Sequence, residues 1–205
     1  NGSHYCARVQ RDNANTSTDS IYFLGAGTES KDGMLFRGKK VTISFYARAG
    51  ANYSSSSNML RVLLITGTGT DETANLAYTG QDASNSTIVT LTTSWQKFTL
   101  TTSTVLGGTI TQFTPAFSYI PTGTAGAADY FEITQVQLCA GDVALPFMPK
   151  SYAEELRACQ RYFVEICGNS NGKPLAIGGT RSTTYAVMYI RFPVTMRTAP
   201  SETYT

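Results

Sequence analysis

Val41-Thr42-Ile43-Ser44-Phe45-Tyr46-Ala47-Arg48 alternates apolar and polar residues without a break. Successive side chains of a β-strand point to opposite faces, so this spacing predicts a strand that buries Val41, Ile43, Phe45 and Ala47. Thr42, Ser44, Tyr46 and Arg48 then face the other way, with Tyr46 and Arg48 on display. Working outward, residues 60–66 are apolar on both faces and predict a central strand. Residues 96–101 bury Phe98 and Leu100 and expose Lys97 and Thr99. Phe113, Phe117 and Tyr119 share one parity. Residues 130–138 begin with Phe131 and Ile133 inward and then switch to Val136 and Leu138, which predicts a bulge near Thr134 and Gln135. Turn-rich stretches at 51–58, 67–71, 80–86 and 121–128 read as loops. Short strands joined by such loops, without crossover helices, predict an all-β antiparallel sandwich.

Composition agrees. Hydrophobic residues make up 41% of the 205-residue chain and charged residues only 15%, so uncharged polar groups do the solvating. A net charge of +2, with scattered Lys and Arg, argues against a nucleic-acid partner, which demands clustered cations. No apolar run reaches the roughly 18 residues of a membrane helix, and no signal-peptide pattern opens the chain, so membrane insertion is not expected. Cys6, Cys139, Cys159 and Cys167 form no CxxC pair and His4 is the sole histidine, so free thiols and no structural zinc are expected. The sequons at Asn15, Asn52 and Asn85 matter only on a eukaryotic secretory route.

A helix is predicted within residues 151–162. Ser151 followed three residues on by Glu154 is a capping box, and Leu156, Cys159 and Phe163 form an apolar stripe. Pro146 and Pro149 precede it, which predicts a sandwich over residues 1–146, a linker and short helix over 147–167, and the start of a smaller β unit over 168–205. In that last unit Ala186, Met188, Ile190 and Phe192 alternate. The Gly168 to Gly172 region reads as the turn before it.

Catalytic patterns do not assemble. Residues 33–39 spell GxxxxGK, but Lys40 stands where a phosphate loop needs Ser or Thr, and a strand follows where it needs a helix. Gly25-Ala26-Gly27 lacks the rest of a dinucleotide fingerprint. His4 has no nucleophile elbow to serve, no acid pair is singled out for glycoside hydrolysis, and Asp71-Glu72 reads as turn solvation. No enzyme activity, cofactor or metal is implied.

What remains is a recognition surface. Sugars present an apolar ring face and a belt of hydroxyls, so their sites pair an aromatic plane with side chains that hydrogen-bond two hydroxyls at once. Tyr22, Tyr46, Tyr53, Tyr78 and Tyr119, interleaved with Arg48, Arg61, Asn75, Gln81 and Gln112, supply both. The candidate site residues are Tyr46, Arg48, Tyr22, Arg61, Tyr78, Gln112 and Tyr119. Trp95, at the start of a strand, reads as a core anchor.

Residues 36–48 (FRGKKVTISFYAR), with 93–101 (TSWQKFTLT) and 131–138 (FEITQVQL), resemble the jelly-roll carbohydrate-binding modules over roughly the first 140 residues. Residues 146–163 (PFMPKSYAEELRACQRYF) are similar to a junction in phage tail-fibre and related tail proteins, and Phe192-Pro193-Val194-Thr195-Met196-Arg197 with Ala199-Pro200 resembles the strand that follows it. Thr134 stands where the family's calcium-binding pattern has an acid. The resemblance implies a jelly roll in a virion tail appendage, assembled in the host cytoplasm, that binds host surface polysaccharide or lipopolysaccharide without catalysis. It also implies partners among other tail proteins and other copies of the chain, with a homotrimer favoured. The alternatives are a structural spacer or oligomerisation unit of a phage tail, and an accessory module of a secreted bacterial glycosidase.

Overall fold

The computed structural model describes residues 5–25, 27–73, 77–165 and 177–199. The expectations for His4, Ala26, Asn75, Cys167, Gly168 to Gly172 and Pro200 lie outside them. The chain divides into two compact units, Asn1–Phe147 and Met148–Thr205.

The first unit is an antiparallel sandwich. Its strands are β1 (Ala7–Gln10), β2 (Ile21–Leu24), β3 (Val41–Ala49), β4 (Met59–Gly67), β5 (Asp82–Thr90), β6 (Gln96–Thr101), β7 (Gln112–Tyr119) and β8 (Tyr130–Ala140). One sheet has the order β1-β8-β3-β6 and the other β2-β7-β4-β5. Each strand of the first half therefore pairs with its mirror in the second half: β1 with β8, β2 with β7, β3 with β6, β4 with β5. This is the winding of a jelly roll, a long antiparallel ribbon folded over onto itself.

The inner faces meet where the alternation places them. Ile43, Phe45, Ala47, Leu60, Val62, Phe117, Phe131 and Ile133 form the main core, with Phe45 packed edge-on against Phe117 at 5.0 Å between ring centres. Val41, Leu64, Leu106, Ile110 and Phe113 close one end. Fully burying each Val, Leu, Ile or Phe side chain contributes about 1.5 to 3 kcal/mol, which is what holds two otherwise polar sheets together. The expected bulge is present. The register of β3 on β8 slips between Ser44 and Tyr46, and Gln135 takes φ +52°, after which Val136 and Leu138 pack inward.

Three expectations need correcting, and one outward-facing pair is covered. Residues 80–86 are not a loop throughout, because β5 starts at Asp82 and pairs along β4; its Asp, Ser and Asn residues have weak strand preference, and pairing overrides it on an edge strand. Thr42 and Ser44 face outward but are buried: the Thr42 hydroxyl donates to the Gly141 carbonyl at 2.8 Å, and Gln137, paired with Ser44, donates to the Pro146 carbonyl at 3.0 Å. Trp95 is no core anchor; it is half-buried on an outer face. Of the alternating residues in the second unit, Ile190 and Phe192 lie beyond the strand.

A short helix α1 (Ser30–Gly33) and a 3-10 turn (Met34–Phe36) lead into β3, so the GxxxxGK segment opens no long helix. The second unit holds α2 (Tyr152–Gln160), started by the complete capping box of Ser151 and Glu154, and the hairpin β9 (Ile177–Ser182) to β10 (Tyr185–Tyr189). Cys6, Cys139 and Cys159 are free thiols.

Candidate functional site

The seven candidate residues separate into three places, because sheet parity sends them to opposite sides of the sandwich. Tyr22 and Arg61 stand on the outer face of the β2-β7-β4-β5 sheet, Tyr46 and Arg48 on the outer face of the other. The remaining three are buried, and of them only Tyr119 touches the groove described below. Tyr119 faces the core, 4% exposed, its ring 4.7 Å from that of Tyr53; burial raises its phenol pKa, and its hydroxyl has no hydrogen-bond partner among the described residues. Tyr78 is buried against Leu63, Ile65 and Ala116 on the outer side of the β2-β7-β4-β5 sheet, with its hydroxyl 2.6 Å from that of Thr114. Gln112 is fully buried: its amide donates to the Glu72 carbonyl at 3.0 Å and its oxygen accepts from the Glu72 N–H at 3.1 Å. Tyr53 is likewise spent, donating to the Met59 carbonyl at 3.0 Å, and Gln81 accepts from the Tyr78 N–H.

On the first face, Tyr22 pairs with Ser118, Ser118 with Arg61, and Arg61 with Ile88, so these four form one row across all four strands. Strands sit about 4.8 Å apart, which puts the Tyr22 and Arg61 backbones about 10 Å from each other. The row floors an open groove of 390 Å³ whose apolar walls come from Met59, Ile88 and Ile120 and whose rim carries hydroxyls of Ser20, Ser56 and Thr122. Tyr22, Ile88 and Ile120 are exposed to the extent of 43%, 59% and 62%, which gives the groove a bare apolar surface beside a cation. Arg61 donates only once among the described residues, to the Ser86 hydroxyl at 3.3 Å, leaving guanidinium N–H groups for a ligand.

The second face is built around a buried carboxylate. Glu132, on β8, pairs with Arg8 of β1 on one side and Arg48 of β3 on the other. Its Oε1 accepts from Arg8 Nε at 2.8 Å and Nη2 at 2.6 Å, and its Oε2 from Arg48 Nε at 2.5 Å. Burial alone opposes ionisation of Glu132, but the hydrogen bonds and charges of Arg48 and Arg8 outweigh it and hold the carboxyl below its ordinary value. The Arg48 guanidinium lies over the Trp95 ring at 4.9 Å and that of Arg8 over Tyr130 at 4.0 Å. In the next row, Tyr46 pairs with Lys97 and, with Gln135 and Phe147, lines a pocket of 190 Å³.

Both buried acids are fully engaged, Glu132 as above and Asp129 by Arg11 at 3.0 Å and the Ser54 N–H at 2.9 Å, so neither is placed to exchange a proton with a ligand. Among the described residues no group of His, Cys, Asp and Glu is clustered to hold a metal. The residues missed in the sequence are Ser118, Ile88 and Ile120 in the groove, and Arg8, Glu132, Trp95 and Lys97 on the other face. Their only signal is strand register, since Arg8 and Glu132 lie 124 residues apart.

No protein-family model matches the chain, and no curated protein matches it. Among solved structures it is similar to one described as "CBM4 structure and function", at 20% identity and a TM-score of 0.39 over 67% of this chain and 72% of that one. It is also similar to the CBM22-2 xylan-binding domain of Paenibacillus barcinonensis Xyn10C, at 15% identity and a TM-score of 0.33 over 65% of this chain and 98% of that one. Neither likeness assigns a residue or a ligand here.

Proposed function

We propose that the chain is a non-catalytic glycan-binding module whose sugar site is the groove over Tyr22, Ser118 and Arg61. The observation that carries this reading is the row itself: an exposed aromatic ring and a guanidinium with free N–H groups, held two strands apart on a rigid sheet with a hydroxyl between them. A pyranose ring stacks on the first while its hydroxyls bond the second and third. The groove is open to solvent, as a site within a longer chain of sugars must be. Screening the full chain on an array of defined oligosaccharides tests this. Tyr22→Ala and Arg61→Ala should each weaken the best ligand about ten-fold with the fold retained. An array without a ligand, or variants that bind like the parent, overturns the reading.

The finer reading is a virion tail appendage, assembled in the host cytoplasm, that holds host surface polysaccharide or lipopolysaccharide through several weak sites at once. The similarity of residues 146–163 to a tail-protein junction supports it. A second reading, a spacer or oligomerisation unit, is favoured by α2, which buries none of its own residues and leaves Leu156 41% exposed. Assembly with further copies, as a homotrimer, or with other tail proteins would cover that stripe. A monomer in sedimentation at micromolar concentration counts against both the trimer and the spacer. The third reading, an accessory module of a secreted glycosidase, shares the sugar site and predicts an adjoining catalytic domain in the full gene.

A further inference from the structure

The face opposite the groove carries a charge imbalance that a neutral sugar does not answer. Arg8, Arg48 and Lys97 all project from it, and the only carboxylate on its four strands is Glu132. Glu132 is 2% exposed and both its oxygens are taken, so it is unavailable to a cationic ligand. Its effect is to fix two guanidinium groups. Each uses Nε on the carboxylate and lays one face on an aromatic ring, which leaves outward N–H groups on Arg48 and Arg8 that bond nothing among the described residues. Lys97 has no ion pair among the described residues. One row along, Tyr46 and Phe147 bound a pocket of 190 Å³ on the same face, with Lys97 at its rim. Guanidinium groups held by second partners lose little freedom on binding, and planar N–H forks match a carboxylate.

We propose that this face is a second saccharide site, selective for an acidic sugar: a uronate whose ring lies against Tyr46 and whose carboxylate is held by Lys97 and the free edge of Arg48. Three cations on one face are too few for a nucleic-acid backbone, whereas one carboxylate per sugar matches them. The site does not depend on the groove over Tyr22 binding anything. Two faces with different preferences would let one module grip a polymer that carries both neutral and acidic residues.

Titration of the full chain with oligogalacturonate, with the neutral galactose oligomer of equal length and with polyglutamate tests the proposal. The expected result is tighter binding of oligogalacturonate than of the other two, weakened about ten-fold by Lys97→Glu and by Tyr46→Ala but unchanged by Tyr22→Ala. Equal binding of polyglutamate overturns it by showing attraction of bare charge. So does equal binding of the neutral oligomer, or loss of uronate binding in Tyr22→Ala alone. If no neutral glycan binds anywhere while uronate binding and its dependence on Lys97 persist, the groove reading falls and this one stands.

Discussion

At the scale of single residues, Glu132 is the most consequential side chain of the outer faces. A carboxylate sunk in a sheet costs several kcal/mol of desolvation, and only the two flanking arginines make it tolerable. Its pKa in the fold lies below the ordinary 4.5, so the folded state gives up its proton more readily than the unfolded chain. The stability that follows is fully present above about pH 4.5 and is lost as pH falls through the folded value. Urea unfolding between pH 3 and 6 should therefore show the parent losing stability more steeply on acidification than Glu132→Gln, although the variant is weaker at pH 6. Parallel profiles would show that Glu132 is not held in this way. Tyr46 and Arg48 are legible in the sequence as outward residues because each sits at the polar parity of a strand, whereas Tyr22 and Arg61 are not, since β2 is too short to show a period and β4 is apolar on both faces. Tyr119 shares the parity of Phe113 and Phe117, and all three turn inward.

At the scale of elements, the alternating strands β3 and β6 and the doubly apolar β4 stand out in the sequence, as does the bulge in β8. The four-residue β1 and β2 do not: each is an edge strand too short for periodicity to register, created by pairing with β8 and β7. α2 is the opposite case. Its ends are written locally, with the Ser151 hydroxyl accepting from the Glu154 N–H and the Glu154 carboxylate accepting from the Ser151 N–H at 2.8 Å. Ser151→Ala should reduce hydrogen-exchange protection of the first-turn amides about five-fold while leaving the sandwich unaffected. Unchanged protection would mean that packing, and not the cap, holds the helix.

At the scale of the whole molecule, every cluster of buried apolar residues among the described residues belongs to the first unit. Trp95, the single tryptophan, lies there as well. A chain ending at Phe147 should therefore keep the cooperative fluorescence transition of the full chain, and loss of that transition would show that the second unit completes the fold. The amino-acid sequence by itself determined the class of fold, the parity of the central strands, the bulge and the capped helix, because these depend on neighbours within a few residues. Only the tertiary structure decided that the candidate residues lie on two opposed faces, that Tyr78 and Gln112 are buried, and that Arg8 and Arg48 share one carboxylate. Those facts depend on which strands pair and in what register, and β1 with β8 and β2 with β7 come from opposite ends of the sandwich sequence.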